Sequence, residues 1–154
     1  MKKVALLLSV LFAFTFVNAQ TYKEELDLMQ SVFGMEKKSM VAEFVQVNDA
    51  QENAFWALYD QYEAARKELG KKRIELLGQY VNNWDNMTNA TADALTKEVI
   101  SLNKKTDALM VSYYNKVKKV TNPLVALQFY QVEAYILSGI RLEILGRLPL
   151  PDVK

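Results

Sequence analysis

Apolar residues recur at three- and four-residue steps from Tyr22 almost to the end of the chain, the spacing that gathers them on one face of an α-helix. The first such segment, Tyr22 to Val47, carries Tyr22, Leu26, Met29, Phe33, Met40, Phe44 and Val47, with one gap at Lys37. Gly34 lies in its middle. A glycine inside a helix costs about 1 kcal/mol relative to alanine, so the pattern predicts a helix that is split or kinked there. Val47-Asn48-Asp49-Ala50-Gln51 announces the next helix. Asn48 can accept from the free N–H groups of the first turn, Asp49 and Glu52 suit the positive end of the helix dipole, and Asn48 and Gln51 have capping-box spacing. Beyond it, Phe55, Leu58, Tyr59, Tyr62, Ala65, Leu69, Leu76, Tyr80 and Trp84 mark a core side. Glu63, Arg66, Lys67, Lys71 and Glu75 mark a solvated one, on which Glu63 and Lys67 have the i, i+4 spacing of a helix ion pair. Gly70 and Gly78 would let this helix bend or let another backbone come close.

A third helix follows, with Thr88 as its cap. Ala92, Leu95, Val99, Leu102, Thr106, Leu109 and Tyr113 alternate three- and four-residue steps, and Val117 and Val120 extend them. This heptad seam asks for a partner helix, within the chain or in a dimer. Asn122-Pro123 then starts the last helix, proline being well tolerated at a first helical position, and Pro149 and Pro151 block its continuation. Leu124 to Leu148 is apolar on every side. Leu127, Tyr130, Ala134 and Leu137 line one face, and Val125, Phe129, Val132, Ile136 and Ile140 the opposite one. Such a helix belongs at the centre of a core or under a partner, so the other helices should wrap around it or a second subunit should cover what they leave open. Short connections imply antiparallel neighbours. The fold expected is all-α, with four main antiparallel helices and a homodimer built on the seam and the last helix. Arg141 has two readings: a member of a solvated strip, its stem passing apolar neighbours, or a buried structural ion-pair residue that needs a carboxylate from another helix.

The first residues change the picture. Lys2 and Lys3 precede a short apolar run, Val4 to Val17, and Val17-Asn18-Ala19 supplies a cleavage site before Gln20. This is the pattern of a secretory signal peptide, residues 1–19. The run falls short of the roughly 20 residues of a membrane span, so no stable membrane insertion is expected. The mature chain, residues 20–154, is expected to be one helical domain, exported to the periplasm. Losing Lys2 and Lys3 takes 19 Lys and Arg to 17 against 18 Asp and Glu, a formal charge of −1. That balance argues against a nucleic-acid partner.

The chain has no cysteine and no histidine. It therefore has no thiol chemistry and lacks the usual general base and the commonest metal ligand. Its carboxylates are scattered along charged faces, with neither a catalytic pair nor calcium-loop spacing. No enzyme, cofactor or metal is expected. The chemistry left is binding. Lys116, Lys118 and Lys119 end the basic third helix beside Tyr113 and Tyr114, a positive, aromatic client-binding patch for acidic or unfolded polypeptide. The plain reading of these lysines is compensation of the helix dipole. Met29, Met35 and Met40 either form an adaptable surface or fill the core, and Lys71-Lys72-Arg73 is either an anion contact or a solvated face.

A signal peptide, an all-helical mature chain without cysteine, and helix starts of the form apolar-polar-x-x-Gln resemble the Spy/CpxP group of periplasmic stress proteins, whose hallmark is a Leu-Thr-x-x-Gln motif. Val47-Asn48-Asp49-Ala50-Gln51 is similar to a first copy. Val120-Thr121-Asn122-Pro123-Leu124 takes the place of a second but lacks the glutamine. The stretch from Phe55 to Leu77 also looks like exported helical proteins of Bacteroidetes-type bacteria. The resemblance implies a helical, cradle-shaped, often dimeric protein that binds unfolded clients without ATP or modulates an envelope stress sensor. The competing expectation is a scaffolding helical module for one specific envelope partner.

Overall fold

The computed structural model describes residues 36–151. The signal-peptide segment, the stretch from Tyr22 to Phe33 and Gly34 lie outside the described residues. Within them the fold is all-α, with four helices and no strand. Helix α1 covers residues 36–44. Helix α2 is Asp49–Asn83, followed by a 3-10 turn, Trp84–Asn86. Helix α3 is Asn89–Val120 and α4 is Pro123–Arg147. Helices α2, α3 and α4 pack as an antiparallel bundle, and α1 packs against the first half of α2 and against α4.

The helix starts form as the capping residues require. Asn48 accepts from Gln51 N at 3.0 Å, Thr88 from Thr91 N at 3.1 Å, and Asn122 from Leu124 N and Val125 N at 2.9 and 3.1 Å, with Pro123 in the first turn. Gln51 does not close a capping box. Its side-chain amide donates across the bundle to the carbonyl of Thr121 at 3.3 Å. Beside it, Gln128 accepts from Gln46 N at 2.9 Å. The α1–α2 and α3–α4 turns are thus stitched together at one end. At the other, the Tyr80 hydroxyl donates to the carbonyl of Pro149 at 2.6 Å and ties the tail of α4 to α2.

Two buried clusters make the core. The larger joins Val41 and Val45, Phe55, Tyr59 and Tyr62 of α2, Tyr113 and Val117 of α3, and Val125, Ala126 and Phe129 of α4. The Phe129 ring meets Phe55 and Tyr62 edge-on at centroid distances of 6.4 and 5.4 Å. The smaller cluster, Leu76, Leu95 and Leu102, belongs to α2 and α3 only. Beyond Val132, α4 contributes nothing to either.

Several expectations are corrected. The buried face of α1 runs Lys37, Val41, Val45, whereas Phe44 is exposed. The expected row breaks up: its gap, Lys37, goes inside and Phe44 faces solvent, while Met40 is half-buried and Val47 packs against the larger cluster. Helix α2 runs unbroken through Gly70 and Gly78, and a Cβ on Gly78 would meet nothing within 4 Å. The seam of α3 is buried at Leu95, Leu102, Thr106, Tyr113 and Val117, but Val99 and Val120 are exposed, and Met110 is buried where the pattern put half-buried Leu109. Thr106 meets its burial by donating to the carbonyl of Leu102 at 2.9 Å. Finally, the other described helices do not wrap α4. Its Val125, Phe129 and Ile136 face is buried, while Leu124, Leu127 and Tyr135 on the other side face solvent.

Candidate functional site

Four charged side chains from three helices meet beneath α1. Lys37 points inward from α1 and is 1% exposed; Glu133 of α4 is 0% exposed; Glu63 and Arg66 of α2 are buried between them. The Lys37 ammonium pairs with Glu63 and reaches Glu133 Oε2 at 2.7 Å. Arg66 grips Glu63 through Nε and a terminal nitrogen at 2.9 and 3.2 Å. The Tyr62 hydroxyl donates to Glu133 Oε2 at 2.8 Å. Lys37 also lies over the rings of Tyr62 and Tyr59, 5.1 and 5.7 Å from their centroids. The formal charges cancel, which low-dielectric burial demands. Glu133 Oε1 is nevertheless without a hydrogen-bond partner among the described residues.

The two carboxylates differ in consequence. Burial pushes the Glu63 carboxyl up, but Lys37 and Arg66 together hold it below the usual carboxylate range. Glu133 is raised: burial dominates, and the neighbouring Glu63 charge adds to it against the pull of Lys37. Burial likewise raises the phenols of Tyr59 and Tyr62. The cluster draws on α1, α2 and α4 at once, so it is complete only when all three are in place. The sequence reading missed it. Glu63 and Arg66 were placed on a solvated side, with Lys67 as the partner of Glu63. The one legible signal was Lys37 interrupting an apolar row.

Arg141, the residue weighed for such a role, is exposed on α4. Among the described residues no carboxylate pairs with it. It faces Arg73, which burial and the Arg141 charge together lower. Its exposure fits a solvated strip, and the buried ion pairs of the described residues are those of Lys37, Glu63, Arg66 and Glu133. Lys71, Lys72 and Arg73 are engaged rather than open to an anion: Lys71 with Glu68, Lys72 with Glu75 and Glu98, Arg73 with Asn103.

The Lys–Tyr group divides between core and surface. Tyr113 is buried, its ring 5.4 Å from that of Tyr62. The Lys116 ammonium caps it from outside at 4.0 Å. Tyr114 is half-buried and meets Tyr130 of α4 edge-on at 6.0 Å, with Lys118 over its ring at 5.5 Å. Lys119 is exposed. Tyr130 leads on to exposed Leu127 and Leu124. The lysines thus border an apolar strip that sequence reasoning had not joined to them. The strip runs on down α4 through Tyr135, Leu142 and Leu145, with Leu142 75% exposed. Single exposed leucines are ordinary; a row of them along one helix marks an interaction surface.

Among the described residues no cluster of carboxylates could hold a metal ion, and no helix is long and apolar enough to cross a membrane. Compared with known protein families, curated proteins and solved structures, the chain finds no match.

Proposed function

We propose that this protein binds exposed apolar segments of other polypeptides without ATP, as an exported chaperone or envelope-stress protein. The observation that carries the reading is the juxtaposition at one end of the bundle. Leu124, Leu127 and Tyr130 stand exposed on α4 beside Tyr114 and the lysines that end α3. Apolar side chains supply non-directional affinity suited to many clients. A cationic border steers acidic or unfolded chains toward the strip and fixes no single sequence. Export to the periplasm is supported by the first nineteen residues of the sequence. The role assigned is binding, with no reaction catalysed.

The test is light scattering of aggregating clients mixed with residues 20–154, without ATP, at low and physiological salt. Suppression near stoichiometric ratio across unrelated clients is expected. It should weaken with salt and in a Lys116→Ser, Lys118→Ser, Lys119→Ser variant. Absence of suppression with every client would overturn the reading in favour of a scaffolding module, whose single partner an envelope crosslinking search would identify.

A further inference from the structure

The outer face of α4 carries a second regularity. Leu124, Leu127, Tyr135, Leu142 and Leu145 lie on one stripe together with Gln131 and Ser138, and all seven positions are exposed. Their steps of three and four residues are those of a helix-pairing seam, on the side of α4 opposite its buried face. The stripe is also close to symmetric end to end. About a point between Ala134 and Tyr135, Leu124 mirrors Leu145, Leu127 mirrors Leu142 and Gln131 mirrors Ser138.

We infer that this stripe pairs with the same stripe of a second copy of the chain, the two α4 helices antiparallel across a two-fold axis near Tyr135. A two-fold interface must be complementary to itself. In this register Leu124 meets the second copy's Leu145, Leu127 its Leu142, and Gln131 its Ser138. Two leucine layers thus flank a hydrogen-bonding polar pair on each side of the axis. A polar layer in an otherwise apolar seam fixes register. Arg141 falls opposite Gln128, so no like charges are opposed. Parallel pairing would instead bring Arg141 alongside its own copy.

One helix pair about 30 Å long makes a small interface, at the low end of the range for specific complexes. The dimer should therefore be reversible and dissociate on dilution. Because Leu124 and Leu127 belong to both surfaces, dimerisation covers the polypeptide-binding strip. This masking rests on the proposed function, whereas the dimer itself does not.

The cysteine-free chain allows a direct test with residues 20–154. Tyr135→Cys sits beside the axis and should form an intermolecular disulfide under mild oxidation. Leu124→Cys should not, because in this register two copies of it stand about 30 Å apart. A mixture of Leu124→Cys and Leu145→Cys proteins should link efficiently. Sedimentation should show dimer dissociating on dilution, and Leu142→Lys should remain monomeric at every concentration with its helical circular dichroism unchanged. Linking of Leu124→Cys alone would mean parallel pairing and overturn the register. A monomer at all concentrations with no link at position 135 would overturn the dimer. The oxidised Tyr135→Cys dimer should suppress client aggregation at least tenfold less well than its reduced form. Equal suppression by both forms would overturn the masking while leaving the dimer standing, and no suppression by either would count against the proposed function alone.

Discussion

Lys37 and Glu133 are 96 residues apart in sequence and 2.7 Å apart in space. Their contact joins the first described helix to the last, and Glu63 and Arg66 bring α2 into the same cluster. α1 exposes Phe44 and packs through buried Val41 and through its lysines, Lys37 in the cluster and Lys38 against Asp60 and the Trp56 ring. Its docking therefore depends on a charge that cannot stay buried unpaired.

Lys37→Met should accordingly destabilise the fold by about 3 kcal/mol or more, since Glu133 is left buried without its cation while Glu63 keeps only Arg66. Chemical denaturation measures the loss. Amide exchange should show residues 36–44 opening before the α2–α3 pair.

The two glutamates should respond to pH in opposite senses. Glu63 is held low, so its stabilisation is present above the unfolded-state value of about 4.3 and is lost as pH falls through its folded value. Glu133 is raised, so its contribution is full below about 4.3 and is lost as pH rises through its folded value. Denaturation from about pH 3 to about pH 8 should show Glu63→Gln flattening the acid limb and Glu133→Gln the limb above it. Identical profiles for both variants would contradict the assignment.

Arg141→Ala should change stability by less than about 0.5 kcal/mol, as for an exposed side chain away from special features. Measurement in the same denaturant assay separates this from the loss of about 3 kcal/mol or more expected of a buried ion-pair residue.

Asn122→Ala should cost about 1 kcal/mol, because two first-turn N–H groups lose their acceptor. Asn122→Asp, which keeps an acceptor, should cost less. Thermal unfolding of the two variants compares them.

Much of the fold was legible because local chemistry set it. Asn48, Thr88 and Asn122 cap where their side chains allow, and Pro123 opens α4. The α3 seam was readable because most of its residues are apolar. The buried cluster was not legible. Lys37, Glu63, Arg66 and Glu133 each sit among ordinary charged residues, and only the tertiary approach of three helices neutralises them. Arg141 drew attention through its apolar neighbours, but those neighbours cover the outside of α4 rather than the core. Tyr113 and Tyr114, adjacent in sequence, point to different places because successive helical residues are about 100° apart, so one joined the core and the other the strip. The exposed face of α4 was foreshadowed by its all-round apolarity, without the information of which side would remain uncovered.

The exposed apolar strip of α4, bordered by the α3 lysines, is the surface proposed to bind polypeptide. The most direct measurement is fluorescence anisotropy of a labelled, permanently unfolded polypeptide titrated with residues 20–154, compared with a Leu124→Lys, Leu127→Lys variant. Saturable binding that weakens with salt, and weakens at least tenfold in the variant while its helicity is unchanged, is the expected result. Equal binding by both proteins would place the client elsewhere on the molecule and contradict the account.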